Sequence, residues 1–280
     1  MATKAWPSGH KSYKAHGQRL STAALLFRCA KKMGLKPNWI TPNGLFAVSA
    51  DGQEKYVNFA RSPLNSHTSV SLARNKYLTR LILGRHDMPN IPFVRPHTQT
   101  DAELFLRRHR KIVAKPTRGS GSRDIHIVTS AAQLKTLNIT KYILEKYIAG
   151  SELRYLVLND TVIGVDHSEY GTSVEVTRPS KHTSHPSTAW SPTLTPLSIQ
   201  TARILGLKFA AIDYLVDPAG RAYILEVNTT PDLKWFHAPT SGPVVDVARH
   251  FLEAIFEDQR TKPGIPAGVP LEAQTIMAYS

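Results

Sequence analysis

The run Ile224-Leu225-Glu226-Val227-Asn228-Thr229-Thr230-Pro231-Asp232 sets a carboxylate and a carboxamide two residues apart at the end of an apolar strand. Side chains two apart on a strand share a face. The preceding run, Phe209 to Asp217, reads as a partner strand, with a turn at Pro218-Ala219-Gly220. Folding on that turn brings Asp213 opposite residues 224–226, and cross-strand neighbours lie about 5 Å apart. Asp213, Glu226 and Asn228 then offer two carboxylates and an amide oxygen on one face. Mg²⁺ takes such hard oxygen donors, a few from protein and the remainder from phosphate and water. Two solvent-facing acids on an amphipathic hairpin would be the plainer reading. The apolar remainder of both strands weighs against it, because a buried acid pair repels itself unless a cation intervenes.

A second cluster surrounds Lys115, which ends the strand Ile112-Val113-Ala114-Lys115 before the loop Thr117-Arg118-Gly119-Ser120-Gly121-Ser122. Ser120, Gly121 and Ser122 are small enough for backbone N–H groups to approach phosphate oxygens, and Lys115 adds charge. No Gly-Lys-Ser/Thr follows, and the third glycine of a dinucleotide fingerprint is replaced by Asp124. A Gly/Ser loop between two strands is also simply a turn. Further on, Glu145-Lys146-Tyr147-Ile148 is a polar pair followed by an apolar pair. Exposed backbone there could meet an adenine edge while Tyr147 and Ile148 pack on the ring. Glu152 could accept hydrogen bonds from ribose hydroxyls. Lys76 is a lone helical lysine, ordinarily a solvated charge.

These residues need a frame. Residues 18–33 have helical apolar spacing, and "LFAVSADGQEKYVNF" reads as a hairpin turning at Asp51-Gly52. Ser71 to Leu83 reads as one helix with Leu72, Leu78, Leu81 and Ile82 inward. Asp101 is the expected cap of "AELFLRRH", and Ser130 that of "AAQLKTL". "LRYLVLNDTVIGVDH" is a hairpin with Asn159-Asp160 at its tip. Residues 171–198, dense in Ser, Thr, Pro and His, read as a long irregular segment. "LSIQTARILGL" and a final stretch from about Val244 to Glu257 are helices.

The composition bounds the function classes. The chain has 280 residues and one cysteine, Cys29, which excludes a disulfide framework and a cysteine metal cluster. No apolar run approaches the roughly 20 residues of a membrane span, and "TAALLF" is short for a signal core, so a cytoplasmic protein is expected. Residues 1–50 hold eight Lys and Arg and no Asp or Glu, which is +8 of the net +14. Such a field attracts polyanions. His167, His182 and His185 lack the frame that zinc requires.

Taken in order, the motifs resemble the ATP-grasp superfamily, over roughly residues 65–258. Lys76 matches the first phosphate lysine and Lys115 the second. "LEKYIAGSELR" is similar to the adenine hinge, with Glu152 at the ribose position. "LEVNTTPDL" is similar to the E-[AV]-N-x-x-P metal motif. Within the superfamily the chain resembles the carboxylate–amine ligases, chiefly the ATP-grasp modules of cyanophycin synthetase and bifunctional glutathione synthases. It resembles ribosomal-protein glutamate ligases and D-alanine–D-alanine ligases more distantly.

The resemblance implies an α+β fold in which two subdomains with antiparallel sheets clamp ATP, beside a short N-terminal subdomain. The implied boundaries are a basic tail at 1–17, the N-terminal subdomain at 18–70, the lid at 71–150, the metal-binding subdomain at 151–258 and a Pro-rich tail at 259–280. ATP and Mg²⁺ (or Mn²⁺) are the implied cofactors. The implied reaction joins a carboxylate to an amine through an acyl phosphate, on an amino acid or acidic peptide. The sequence departs from relatives after the hinge hairpin and just before Asp213, where Ala210-Ala211 stand. Arg154, Arg178 and Lys181 are therefore the candidates for charge on the acyl-phosphate side. Two rivals are a nucleic-acid-binding protein, with "RRHRK" at 107–111 as its charge, and a degenerate nucleotide-binding or scaffold module. Self-association into a homo-oligomer is left open.

Overall fold

Side-chain caps decide where the helices begin. In the computed structural model, which describes residues 21–119, 124–169 and 181–257, Ser21 accepts the Ala24 N–H and opens α1 (Thr22–Lys32). Ser66 opens α2 (His67–Ala73) in the same way. Asn75 accepts from Tyr77 and Leu78 and opens α3 (Lys76–Arg85). Each cap satisfies N–H groups that the helix itself leaves without partners.

The single helix expected over Ser71 to Leu83 is thus two. Asn75 is extended, with φ −97° and ψ 102°, and forms a bridge with Arg118 in the loop after Lys115. Lys76 moves from mid-helix to the first helical position. The buried face differs too, with Thr79, Arg80 and Leu83 inside and Leu81 40% exposed. For α4 (Gln99–His109) the cap is Thr98, and Asp101 is the third residue of its capping box. Ser130 caps α5 (Ala131–Lys135) as expected.

Three antiparallel sheets follow. The N-terminal one has β1 (Lys36–Trp39), β2 (Leu45–Ala50) and β3 (Gln53–Asn58) in sequence order. Phe27 of α1 stacks on Trp39 at 4.4 Å and meets Phe46 edge-on at 5.5 Å. The second contains β4 (Phe93–Val94), β5 (Ile112–Pro116), β6 (His126–Val128) and β7 (Tyr142–Lys146), ordered β4-β7-β5-β6. Ala102, Leu106 and Leu134 from its two helices fill its core.

The third sheet holds β8 (Ser151–Leu158), β9 (Thr161–Glu169), β10 (Lys181–His185), β11 (Phe209–Val216) and β12 (Ala222–Asn228) in the order β10-β9-β8-β11-β12. Asn159 and Asp160 turn β8 into β9 with φ of 44° and 61°, the left-handed pair that a tight hairpin requires. Residues 181–185, expected to be irregular, are the strand β10 on β9. Residues 170–180 lie outside the described residues.

This sheet is buried on both faces. Tyr155, Val157, Ala210, Ile212 and Tyr214 pack towards α6 (Leu194–Ile204). Leu156, Leu158, Phe209 and Ala211 pack in the core shared with α1 and α8 (Val247–Glu257). The short α7 (Lys234–His237) is seated because Gly164 has no side chain. A Cβ there would stand 2.8 Å from the Phe236 ring. The architecture is α+β with antiparallel sheets, as the sequence implies.

His237 links α7 to α8, its buried Nε2 accepting the Ala248 N–H at 3.1 Å. Burial lowers its pKa from 6.5 to about 4, against the opposing pull of Asp246. The folded pKa lies below the ordinary value, so the stability is complete above pH 6.5 and is lost as pH falls towards 4. Chemical denaturation across that window should show falling stability, with a flatter profile in His237→Gln. Identical slopes in the two proteins would remove His237 as the cause.

Candidate active site

Arg80 is the residue that brings the second and third sheets together. Its Nε donates to Glu145 Oε1 at 2.7 Å. Its Nη1 donates to Asn90 and to the Ile224 carbonyl, and its Nη2 to the Leu225 carbonyl at 2.9 Å. The other Glu145 oxygen pairs with Lys115 Nζ at 2.8 Å. All three charged groups are buried. Burial alone would push the Glu145 carboxyl up, but Arg80 and Lys115 outweigh it and hold the pKa at about 2.

Lys76 completes the basic side. Its Nζ donates to the Gly119 carbonyl at 3.1 Å and stands 3.9 Å from Glu226 Oε1. Lys76, Arg80 and Glu226 line one small cavity. The two lysines singled out in the sequence therefore flank β12, one directly and one through the Arg80–Glu145 pair.

On the acidic side the register is as the sequence suggests, with Asp213 paired to Glu226 across β11 and β12. Arg154 of β8 lies opposite Asp213 and grips both of its oxygens, at 2.7 and 2.8 Å. Burial works against the charge on Arg154, and the Asp213 carboxylate overrides it, raising its pKa. The Glu226 carboxyl is 42% exposed yet enclosed by protein on its remaining sides. Its pKa is raised by burial, with Lys76 opposing and the Asp213 charge adding. Asn228 Oδ1 accepts the Thr230 N–H at 2.9 Å and keeps a second lone pair.

Three oxygen-bearing side chains, Asp213, Glu226 and Asn228, sit at adjoining register positions and would be the donors to a divalent cation, with both Asp213 oxygens shared with Arg154. Glu152 lies two register positions further, opposite Leu215 and Ser168.

The hinge differs from expectation in detail. The Glu145 side chain is committed to Arg80 and Lys115. The Lys146 and Tyr147 N–H groups go to the carbonyls of Pro92 and Lys111, so an adenine edge cannot use them. Tyr147 carries Lys111 Nζ 3.7 Å from its ring centroid. Lys181 is exposed on the edge strand β10, paired with Glu169 and two strands from Arg154, so the structure does not bring it to the site. Ser120, Gly121, Ser122 and Arg178 lie outside the described residues.

Two features escaped the sequence reading. Arg80 is one; its spacing of four from Lys76 on a helix was the available signal. The other is a buried pair, with His182 Nδ1 2.7 Å from Asp166 Oδ2 and the His182 ring stacked 3.9 Å from Trp235. Asp166 and His182 are distant in sequence, and only the β9–β10 register joins them.

Residues 73–255, well over half of the chain, match the RimK-like ATP-grasp domain. The chain belongs to the RimK-like ATP-grasp family. This family's ligases use ATP and Mg²⁺. The chain is 28% identical over 172 residues to the glutathione biosynthesis bifunctional protein GshAB of Listeria monocytogenes, a match covering 56% of this chain and 22% of that protein. It is 24% identical over 217 residues to the tetrahydromethanopterin:alpha-L-glutamate ligase of Methanocaldococcus jannaschii, covering 72% and 73% respectively. The ATP-grasp fold is shared with a crystal structure of a bifunctional glutathione synthetase from Pasteurella multocida, with a TM-score of 0.65, 13% identity and coverage of 85% and 44%. The chain spans less than a quarter of the first of these relatives. No described helix is long and apolar enough to cross a membrane.

Removing Glu145 would leave two buried cations without a counter-charge. Glu145→Ala should cost roughly 3–5 kcal/mol of unfolding free energy. The double replacement Arg80→Met/Glu145→Leu should recover part of that loss. Urea titration reads both, and a Glu145→Ala protein as stable as the parent would sink the assignment.

Proposed function

We propose that the protein is an ATP-dependent ligase that joins a carboxylate to an amine. The carrying observation is the convergence on one cavity of Lys76 with Glu226, at 3.9 Å, beside the buried Arg80–Glu145–Lys115 cluster. A polyphosphate would find cations on one side and metal-binding carboxylates on the other.

In this reading Lys76 and Lys115 neutralise phosphate charge, and the small residues Ser120, Gly121 and Ser122 offer backbone N–H groups to phosphate oxygens. Asp213, Glu226 and Asn228 would hold Mg²⁺, which supplies charge neutralisation at the phosphates when bound. Tyr147 and Ile148 flank adenine, and Glu152 serves the ribose. The substrate carboxylate oxygen takes the γ-phosphoryl group, releasing ADP. The amine nitrogen then attacks the carbonyl carbon, phosphate departs with the oxygen, and the amine proton passes to solvent. Arg154, with Arg178 as a further candidate, supports the anionic acyl phosphate. Catalysis of this kind is positioning plus electrostatics. The net +14 charge favours an acidic amino acid or peptide as substrate.

The test is ADP release with a panel of amino acids and acidic peptides, products read by mass spectrometry. Release should depend on the amine and fall about 100-fold or more in Asp213→Ala and Glu226→Ala. Full turnover by a folded Glu226→Ala protein would overturn the metal assignment. A second reading, nucleotide binding without turnover, draws on the grip of Arg154 on both Asp213 oxygens. ATP binding with no product across the whole panel would establish it.

A further inference from the structure

One buried carboxylate of the third sheet is held by a single oxygen. Asp166 of β9 is 1% exposed. Its Oδ2 pairs with His182 Nδ1 at 2.7 Å and accepts the Ser168 hydroxyl at 3.2 Å. Its Oδ1 is buried and has no hydrogen-bond partner among the described residues. A bare buried carboxylate oxygen is costly to keep, and native structures hold few of them.

The groups on Oδ2 are themselves fixed. The His182 ring stacks 3.9 Å from Trp235, with 14° between the planes. The His182 N–H donates to the Thr240 hydroxyl at 3.1 Å, and its carbonyl accepts the Thr240 N–H at 2.8 Å. Ser168 is buried as well. His182 and Ser168 therefore hold Asp166 by one oxygen and leave the other open.

Arg154 of β8 lies directly opposite Asp166 on one side and directly opposite Asp213 on the other. Directly opposed residues share a face, with Cα atoms about 4.5–5.5 Å apart, so one long guanidinium side chain can reach either carboxylate. Here its Nε and Nη2 go to the two Asp213 oxygens, at 2.7 and 2.8 Å. Burial opposes the charge on Arg154, and Asp213 is the main group that raises its pKa, with Glu152 and Asp166 adding to it.

The two acids differ in what they have left to offer. Both Asp213 oxygens are engaged by Arg154, whereas Asp166 has one oxygen to spare. A cation that draws on Asp213 leaves Arg154 short of a partner, and a buried guanidinium without one is costly. Asp166 Oδ1 is already out of water and already unpaired, so taking up an Arg154 N–H there would satisfy two buried groups at once.

We propose that Asp166 is the second counter-ion of Arg154, and that a divalent cation on Asp213 shifts hydrogen bonds of the guanidinium to the open oxygen of Asp166. Asp166 is then a positioning residue that acts on the cation through Arg154, with His182 and Ser168 holding it in place. The inference rests on the metal assignment within the ligase reading.

The test is calorimetric titration of the full chain with AMP-PNP, a non-hydrolysable ATP analogue, in saturating Mg²⁺ and in EDTA. The ratio of the two affinities is the gain linked to Mg²⁺. Asp166→Asn should lower that gain about tenfold while the affinity in EDTA holds, because Arg154 then stays on Asp213. Asp166→Glu, which keeps the carboxylate, should fall between. With Arg154→Met in place, Asp166→Asn should change the gain by less than about twofold, since the competitor for Asp213 is gone. In the parent protein labelled with ¹⁵N-arginine, the Nε–H signal of Arg154, assigned by its absence in Arg154→Lys, should shift when Mg²⁺ joins bound AMP-PNP. That measurement decides the matter even where Asp166→Asn does not fold. A parent-like gain in folded Asp166→Asn, an equal loss in the Arg154→Met background, or an Arg154 signal that stays fixed on metal binding would each overturn the proposal. A parent with no gain from Mg²⁺ would instead overturn the metal assignment, and this inference with it.

Discussion

Everything at this site is referred to Arg80. Its guanidinium joins a carboxylate of β7 to two successive carbonyls of β12, so one planar group fixes the second sheet against the third. A lysine could not do this, because its ammonium lacks the rigid fork that reaches three directions at once. The same group sets the local charge. Arg80 and Lys115 contribute two positive charges against the single negative charge of Glu145, leaving one uncompensated. A buried cluster with residual positive charge is costly in the free protein and is relieved by an anion at its edge. In the proposed function, the interaction that orders the two sheets also prepares the phosphate side.

The acidic side depends on strand order. The order β10-β9-β8-β11-β12 sets Ser184, Asp166, Arg154, Asp213 and Glu226 in one transverse row, each opposite the next. Sign alternates about Arg154, which has an acid on either side. Arg154 is therefore held between strands rather than projecting freely, and its charge is shared with the residues proposed for the metal. Lys181 lies two strands from Arg154 and three residues from Ser184, the β10 member of the row, so it stands apart although its charge suits the same task.

Legibility followed the range of the determining interaction. The β11–β12 hairpin was readable because its turn, its alternation and its acids all lie within twenty residues. The turn alone carries Asp213 to Leu225, and a β-bulge between Asp213 and Tyr214 moves its partner to Glu226. The N-terminal hairpin and the Asn159-Asp160 turn were readable for the same reason. The break between α2 and α3 was not, although Asn75 is a good cap. The apolar spacing runs through it, and what holds Asn75 extended is the bridge to Arg118, more than forty residues away. The strand β10 was hidden by its composition, as Lys-His-Thr-Ser-His carries little β signal and gains its structure from β9. Arg80 was the largest omission. Its charged partner Glu145 and its carbonyl partners on β12 come from two distant parts of the chain, and a buried arginine looks like any other in a basic sequence.

The helix break also explains how two lysines can serve one anion differently. Because α3 starts at Lys76, its backbone N–H is free of the helix and donates to the Thr117 carbonyl at 2.9 Å, while its ammonium reaches Gly119. Lys76 is thereby tied to the loop that follows Lys115. Among the described residues its ammonium holds a neutral carbonyl and a carboxylate at 3.9 Å, partners that a phosphate oxygen can replace with gain, since charge-assisted hydrogen bonds are about twice as strong as neutral ones. Lys115 is bound to Glu145 at 2.8 Å within a buried cluster and would give up much more by moving. In the proposed function Lys115 therefore supplies the fixed charge and Lys76 the exchangeable one.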